Sequence, residues 1–226
     1  MLLAIPNVLT SEQVAEGRRI LDAAEWIDGR DTAGHQGARV KNNQQLPLRS
    51  PAAEQLGQMI LKALANAPLF MSAVLPARIL PPMFNRYGVG QTFGTHVDGA
   101  IRMMGNGNSV RTDVSCTLFF SNPDEYDGGE LVVEDTYGSK SVKLPAGHMI
   151  LYPSTSLHRV NPVTRGVRVC SFFWLQSMVR DNGEREQLYR LDRSIRALGQ
   201  ERGATDAVVV ELTSLYHNLM RLWADA

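Results

Sequence analysis

The sequence has no excess of charge of either sign and no long apolar run. Lys plus Arg and Asp plus Glu number 23 each among 226 residues, so the formal net charge is zero. Proteins that bind nucleic acid through phosphate contacts usually carry a basic face, and this composition therefore argues against nucleic acid as a partner. No apolar stretch approaches the roughly 20 residues that a membrane span requires, so we expect no membrane partner either.

The amino-terminal residues lack the positively charged segment, the long apolar segment and the small-residue cleavage site of a secretory signal. We expect Met1–Asn7 to form the first strand instead. Cysteine is scarce: Cys116 and Cys170 are the two in the sequence, and both lie in apolar stretches typical of core strands. A buried, reduced thiol is the usual state of such a residue. These features predict a cytoplasmic protein.

The pattern of apolar residues changes twice along the chain. Thr10–Gln13 carries the capping pattern of a helix start, which predicts a helix over about 11–26. Ser50 followed by Pro51 predicts a second helix that ends near residue 66. The intervening segment 28–48 is rich in Gly, Asn and Gln, and we expect loop or irregular strand there.

From residue 69 to residue 177 short apolar segments alternate with turn residues, as in a sandwich or barrel. Alternation in the segment 112–121 predicts an antiparallel strand with one buried face. We expect a loop at 100–110, placed as a flap beside a site. The predicted strands are 69–75, 78–87, 92–98, 112–121, 130–135, 140–144, 148–152, 158–163 and 166–177.

Beyond residue 177 two apolar stripes recur at helical spacing, which predicts a helical hairpin. The stripes either pack on each other and on the barrel or form the interface of a homo-oligomer. Both readings remain open from the sequence. The stripe residues are Leu188, Leu191, Ile195 and Leu198 in one helix and Val208, Leu212, Leu215, Leu219 and Leu222 in the other.

A candidate metal site lies in the predicted strand 92–98. Residues two apart on a strand share a face, so His96 and Asp98 are expected to project side by side. His158 follows the apolar strand at 148–152 and would supply a third ligand; His148 is the alternative distal histidine. Two histidines and one carboxylate on one side of a metal suit non-haem Fe(II) and leave coordination positions open.

Arg168 lies in the apolar segment Val167–Leu175, where an unpaired guanidinium would be costly to bury. It therefore needs an anionic partner. If its face of the strand points into the barrel, the guanidinium can bind a carboxylate bidentately near the metal. A salt bridge to an internal Asp or Glu is the alternative.

These residues resemble the Fe(II)- and 2-oxoglutarate-dependent dioxygenases of the prolyl 4-hydroxylase type, and more closely the PKHD-type hydroxylases. The resemblance covers nearly the whole chain. It is carried by Asn85-Arg86-Tyr87, Thr95-His96-Val97-Asp98, Arg111-Thr112-Asp113-Val114-Ser115, Gly128-Gly129-Glu130-Leu131, Pro145-Ala146-Gly147, Tyr152-Pro153-Ser154-Thr155-Ser156-Leu157-His158 and Gly166-Val167-Arg168.

The resemblance implies that His96, Asp98 and His158 bind iron and that Arg168 binds the distal carboxylate of 2-oxoglutarate. Tyr87 would donate a hydrogen bond to this co-substrate, unless it is a core tyrosine with a satisfied hydroxyl. The implied cofactors are Fe(2+), 2-oxoglutarate and O2, with L-ascorbate as a reductant. The implied reaction hydroxylates an unidentified small molecule or protein and releases succinate and CO2, and some similar proteins are associated with iron uptake.

The expected fold class is α+β: a double-stranded β-helix (jelly-roll) core with N-terminal helices packed on it and a C-terminal helical hairpin. We expect a dioxygenase domain over residues 1–177, with the jelly roll at about 69–177, and a helical extension over 178–226. Two other functions use the same three ligands. One is a non-catalytic, cupin-like metal binder or iron sensor, and the other is demethylation of alkylated nucleic acid, which the neutral charge disfavours.

Overall fold

The computed structural model of the protein describes residues 1–32, 35–104 and 107–225, without the side chains of residues 31, 32, 35 and 36. Six α-helices occur in the described residues, besides a 3₁₀ turn at Gly29–Thr32. The helices are α1 (Ser11–Ala23), α2 (His35–Val40), α3 (Pro51–Ala65), α4 (Pro68–Val74), α5 (Asn182–Arg202) and α6 (Ala207–Trp223).

The described strands are short except for the last. They are β1 (Leu3–Ile5), β2 (Ile27–Asp28), β3 (Lys41–Asn42), β4 (Gln44–Gln45), β5 (Pro76–Ile79), β6 (Met83–Tyr87), β7 (Thr92–His96), β8 (Ile101–Met103), β9 (Ser109–Arg111), β10 (Val114–Phe119), β11 (Tyr126–Gly128), β12 (Leu131–Asp135), β13 (Gly138–Val142), β14 (Met149–Pro153), β15 (His158–Val160), β16 (Val163–Gly166) and β17 (Arg168–Ser177).

Two antiparallel sheets build the body of the protein. The larger runs in the order β1-β14-β10-β17-β6-β4-β2, with β5 also paired to β17, and the smaller runs β13-β12-β15-β7-β3. Buried residues of the smaller sheet, such as Leu131 and Val160, join those of the larger one, such as Ile150 and Cys170, in one apolar cluster. The jelly-roll core predicted from the sequence is confirmed.

The helix starts follow the expected capping chemistry. The hydroxyl of Thr10 accepts from the backbone N–H of Gln13, whose side chain accepts from the backbone of Thr10. Ser50 caps α3 through the N–H of Ala53, with Pro51 at a first-turn position where no N–H is needed. The buried side of α3 then presents Leu56 and other apolar residues to the larger sheet's core.

Three predictions about the strands were wrong. Segment 69–75 is helix α4, because an apolar run after Pro68 fits a buried helix as well as a strand and periodicity alone does not separate them. Strand β10 is buried on both faces, because helices cover the outer face of the larger sheet. The 100–110 segment forms the β8–β9 hairpin, with Arg102 opposite Val110; residues 105 and 106 of this predicted flap lie outside the described residues.

The predicted C-terminal helical hairpin is confirmed. Helices α5 and α6 contact each other, and α5 also contacts α4. Apolar residues of the hairpin, including Leu188 and Leu219, form a cluster with Leu75 and Val179. An oligomer interface on these helices and the domain boundary at residue 177 stay predictions.

Cys116 and Cys170 are both buried and free, as the sequence predicted. No helix in the described part of the chain has the length and apolarity to cross a bilayer. A cytoplasmic location stays a prediction.

Candidate metal centre

Two strands of the smaller sheet bring the candidate ligands together. His96 ends β7 and His158 begins β15, and the two residues are directly paired across the strands. Their ring centroids lie 4.2 Å apart. Asp98 lies two residues beyond the end of β7, so the prediction that it shares a strand face with His96 was wrong. The chain nevertheless turns it inward: one ligand atom from each of the three residues lies within 4.8 Å of the others.

Backbone carbonyls orient both histidine rings. Nδ1 of His96 lies 2.8 Å from the carbonyl oxygen of Gly94, and Nδ1 of His158 lies 3.0 Å from that of Ser156. A carbonyl oxygen can only accept, so each ring carries its proton on Nδ1. In a neutral ring this contact leaves Nε2 with a free lone pair, the state in which an imidazole binds a metal.

The Asp98 carboxylate is held from the larger sheet. Ser115 on β10 donates a hydrogen bond of 2.6 Å to Oδ2 of Asp98, and its hydroxyl lies 2.8 Å from that of Ser154. Because Ser115 has one O–H and gives it to Asp98, Ser154 is the donor in the second bond. Oδ2 of Asp98 is also 3.7 Å from Nε2 of His158.

Burial keeps His96 neutral. Its ring stacks on Phe93 with centroids 3.6 Å apart and is 7% exposed as a residue. Desolvation, with His158 alongside, lowers the pKa of His96 to about 4. At neutral pH the ring is therefore available as a ligand without first losing a proton.

Arg168 is 1% exposed and forms one end of the same cavity. Its guanidinium carbon lies 5.3 Å from the ring centre of Tyr87 and 5.4 Å from that of Phe119. Nε of Arg168 has no hydrogen-bond partner, and no carboxylate of the described residues pairs with the side chain. The internal salt bridge considered from the sequence is therefore not found in the described part of the chain, and the guanidinium fits a carboxylate supplied from outside.

Tyr87 lies directly opposite Arg168 on the neighbouring strand β6 and is 1% exposed. Burial raises the pKa of Tyr87 to about 12, so its hydroxyl keeps its proton over the whole neutral range. The side chain lines the cavity and can donate a hydrogen bond to a bound acid.

The cavity encloses about 450 Å³ and is lined by all five residues predicted from the sequence: His96, Asp98, His158, Arg168 and Tyr87. The alternative distal residue His148 is not among the described residues that line it. The donor set, two imidazoles and one carboxylate, fits Fe(II) and leaves positions for further ligands.

Lys41 and Arg102 were not singled out from the sequence, and Ser115 and Ser154 entered only as part of the stretches that carry the family resemblance. Ser115 and Ser154 hold Asp98, while Lys41 and Arg102 bring positive charge to the cavity. Lys41 is 6% exposed in a two-residue strand, and its Nζ lies 5.3 Å from the centre of the Phe93 ring. Local pattern gave no signal for either cation, because Lys41 lies in a segment expected to be loop or irregular strand and Arg102 in a segment expected to be a loop.

Two family models match the chain. The model of the 2OG-Fe(II) oxygenase superfamily matches residues 82–176, and the model of the PKHD-type hydroxylase C-terminal domain matches residues 182–225. Between them the matches span most of the strand-rich body and the C-terminal hairpin.

A PKHD-type hydroxylase from Methylobacillus flagellatus is 60% identical to this chain over the full length of both proteins. Among solved structures, a Pseudomonas putida prolyl-4-hydroxylase is 23% identical with a TM-score of 0.51, covering 78% of this chain and 92% of its own. HygX from Streptomyces hygroscopicus, solved with nickel, 2-oxoglutarate and hygromycin B bound, is 17% identical with a TM-score of 0.52, covering 78% of this chain and 82% of its own. The two solved structures share the fold of this chain, and the Methylobacillus flagellatus protein is similar to it along the whole sequence.

Proposed function

Since the chain belongs to the PKHD-type hydroxylases and is a 2-oxoglutarate-dependent dioxygenase, we propose that it hydroxylates a C–H bond of a small molecule or protein. Succinate and CO2 are the products formed from the co-substrate. The observation that carries the proposal is the group His96, Asp98 and His158 gathered in one cavity with the buried Arg168.

We assign the iron to Nε2 of His96, Nε2 of His158 and the carboxylate of Asp98. Support comes from the two carbonyl contacts that free both Nε2 atoms and from the 4.8 Å limit on the separation of the ligand atoms. Ser115 keeps the Asp98 carboxylate turned toward the histidines through its 2.6 Å bond. Such supporting bonds reduce the reorganisation needed when a metal binds.

We assign the distal carboxylate of 2-oxoglutarate to Arg168, because a buried guanidinium with an unpartnered Nε favours an anion that completes its hydrogen bonds. Tyr87 donates its hydroxyl proton to the same co-substrate. When bound, the iron and 2-oxoglutarate supply the O2-dependent oxidation that the side chains cannot perform.

Apolar side chains form part of the cavity lining and would keep water from the reacting atoms. Leu131, Val160, Phe172 and Phe173 all line it, and three of them are less than a tenth exposed. A dry cavity strengthens the pairing of Arg168 with its carboxylate and limits side reactions.

Anaerobic titration tests the site. Addition of Fe(II) and then 2-oxoglutarate to the protein should produce a metal-to-ligand absorption band, which His96→Ala should remove. His217→Ala provides the matched control, because His217 is exposed on α6 and does not line the cavity. Absence of the band from the wild-type protein, or its persistence in His96→Ala, would refute the assignment.

Two finer parts of the proposal rest on the family resemblance alone. L-ascorbate should restore activity by reducing iron that oxidises during uncoupled turnover, and a turnover series with and without ascorbate tests this.

A link to iron uptake predicts that the protein's abundance rises when its host is starved of iron. Unchanged abundance under iron starvation would contradict that link.

A further inference from the structure

The cavity of the candidate metal centre and a second, larger space share two of their lining residues. Arg102 and Trp174 line both the 450 Å³ cavity and a neighbouring groove of about 1180 Å³. Apolar residues of the groove include Met83 and Met103, and the groove also follows one side of α3 from Pro51 to Leu61. Arg102 therefore lies where the cavity and the groove adjoin.

Arg102 is fixed in place by stacking. Its guanidinium carbon lies 3.5 Å from the centre of the Trp174 ring, which is 6% exposed. A guanidinium that stacks on an aromatic ring lies parallel to it. Its N–H groups point outward in the guanidinium plane, where they can donate to an anion. The buried Nε of Arg102 has no hydrogen-bond partner.

Arg102 and Arg168 serve different ends of the cavity. Arg168, Phe172 and Trp174 share one face of β17, because residues an even number apart on a strand point the same way. Trp174 lies six positions after Arg168, which corresponds to about 20 Å along a strand. A co-substrate carboxylate held by Arg168 therefore leaves Arg102 to a different ligand.

The charge of the cavity favours an anionic ligand at Arg102. Among the described residues that line it, Asp98 is the only carboxylate, whereas Arg102 and Arg168 are both cations. An Fe(II) ion and a 2-oxoglutarate dianion cancel each other, so the two arginines exceed Asp98 by one positive charge in the loaded site. Lys41 adds an ammonium group to the same wall, with its Nζ 5.8 Å from the centre of the Phe172 ring.

We propose that the substrate carries an oxyanion, a carboxylate or a phosphate, which Arg102 binds at the junction of cavity and groove while Trp174 holds the guanidinium in place. Arg102 is thus a residue that determines substrate specificity. The apolar part of the substrate lies along the methionine-lined groove. This inference rests on the proposed function, because it concerns the substrate of the same site.

The test uses three probes that share one alkyl chain: octanoate, octyl phosphate and octanamide. Each is titrated by calorimetry into the anaerobic protein loaded with Fe(II) and 2-oxoglutarate. At least one of the two anions should bind about tenfold or more tightly than the neutral amide, because a charge-assisted hydrogen bond contributes on that order. The tighter anion identifies the group on the substrate.

Arg102→Gln should abolish the preference for the anion and leave the affinity for 2-oxoglutarate unchanged. Arg49→Gln is the matched control, because Arg49 is an exposed arginine that lines the groove but not the cavity, and this variant should keep the preference. The iron and 2-oxoglutarate absorption band reports that each variant is folded.

Wild-type protein that binds octanamide as tightly as both anions, or binds none of the three, would overturn the inference. So would a preference that survives in Arg102→Gln. The proposed function fails separately, through absence of the absorption band before any probe is added.

Discussion

The hydroxyl of Ser115 donates a 2.6 Å hydrogen bond to Oδ2 of Asp98 and connects the two sheets at the candidate metal centre. Ser115 belongs to β10 of the larger sheet, whereas Asp98 follows β7 of the smaller one. The carboxylate is therefore oriented by a residue from the opposite wall of the jelly roll. Ser154 extends the link through its own bond to Ser115.

Ser115→Ala should weaken Fe(II) binding by about 10- to 100-fold, because supporting hydrogen bonds to metal ligands contribute that much. The dissociation constant for Fe(II) is measured anaerobically, with 2-oxoglutarate both absent and saturating. Ser139→Ala on the exposed strand β13 serves as the control and should bind Fe(II) like the wild type. Equal Fe(II) affinity in Ser115→Ala and wild type would contradict this role.

Arg168→Gln should weaken 2-oxoglutarate binding by roughly 100-fold and leave Fe(II) binding within about twofold of the wild type. The physical reason is that, in the proposed site, Arg168 supplies the cation for the co-substrate but no ligand for the metal. Separate titrations with Fe(II) and with 2-oxoglutarate measure the two constants. A parallel loss of both affinities would count against the role given to Arg168.

The affinity for octanoate should fall as pH rises through about 8. Burial and the positive charge of Arg102 lower the pKa of Lys41 to about 8, while the carboxylates of Asp28 and Asp98 act in the opposite direction. The ammonium charge is therefore lost from the cavity above that pH. The same experiment on Lys41→Met should show no such change near pH 8, and a wild-type affinity that stays constant from pH 7 to about 9 would contradict the prediction.

Loss of the Lys41 proton should affect folding stability in the opposite direction to octanoate binding: affinity falls as pH rises, whereas stability increases. Between its folded pKa of about 8 and its ordinary value of 10.5, the unfolded chain binds a proton that the folded chain has released. The contribution of Lys41 to the free energy of unfolding therefore rises with pH across that window. Urea denaturation of wild type and Lys41→Met at pH 8 and at about pH 10 measures the difference, and a fall across the window would refute it.

Gly128→Ala should destabilise the protein by about 1–3 kcal/mol or more. Gly128 has φ +69, and a Cβ there would lie 2.1 Å from the carbonyl oxygen of Pro162, which the paired strands hold in place. Gly199→Ala is the matched comparison: Gly199 lies in α5, and its Cβ would lie 3.8 Å from Val209 of α6, an ordinary contact. Helix propensity then predicts a gain of up to about 1 kcal/mol. Urea midpoints measure both, and similar midpoints for the two variants would contradict the account.

The candidate metal ligands and the buried Arg168 could be picked out from the sequence because each has a signal close by. His96 and Asp98 form a short motif, His158 follows an apolar strand, and Arg168 is conspicuous among apolar neighbours. The start of helix α1 at Thr10 could be predicted for the same reason, because helix capping depends on residues only three positions apart.

The supporting contacts could not be predicted because they depend on the register of distant segments. Ser115 meets Asp98 only after two sheets have closed on each other, and Arg102 meets Trp174 only after a hairpin has folded over β17. Helix α4 was mistaken for a strand because a short apolar run satisfies both patterns.

The most direct test of the central claim is succinate formation under labelled O2. Wild-type protein with Fe(II), 2-oxoglutarate and a cell extract as the substrate source should form succinate that carries one atom from O2. His158→Ala should form none, and His217→Ala should match the wild type. Absence of labelled succinate with the wild-type protein, or equal amounts with His158→Ala, would contradict the account.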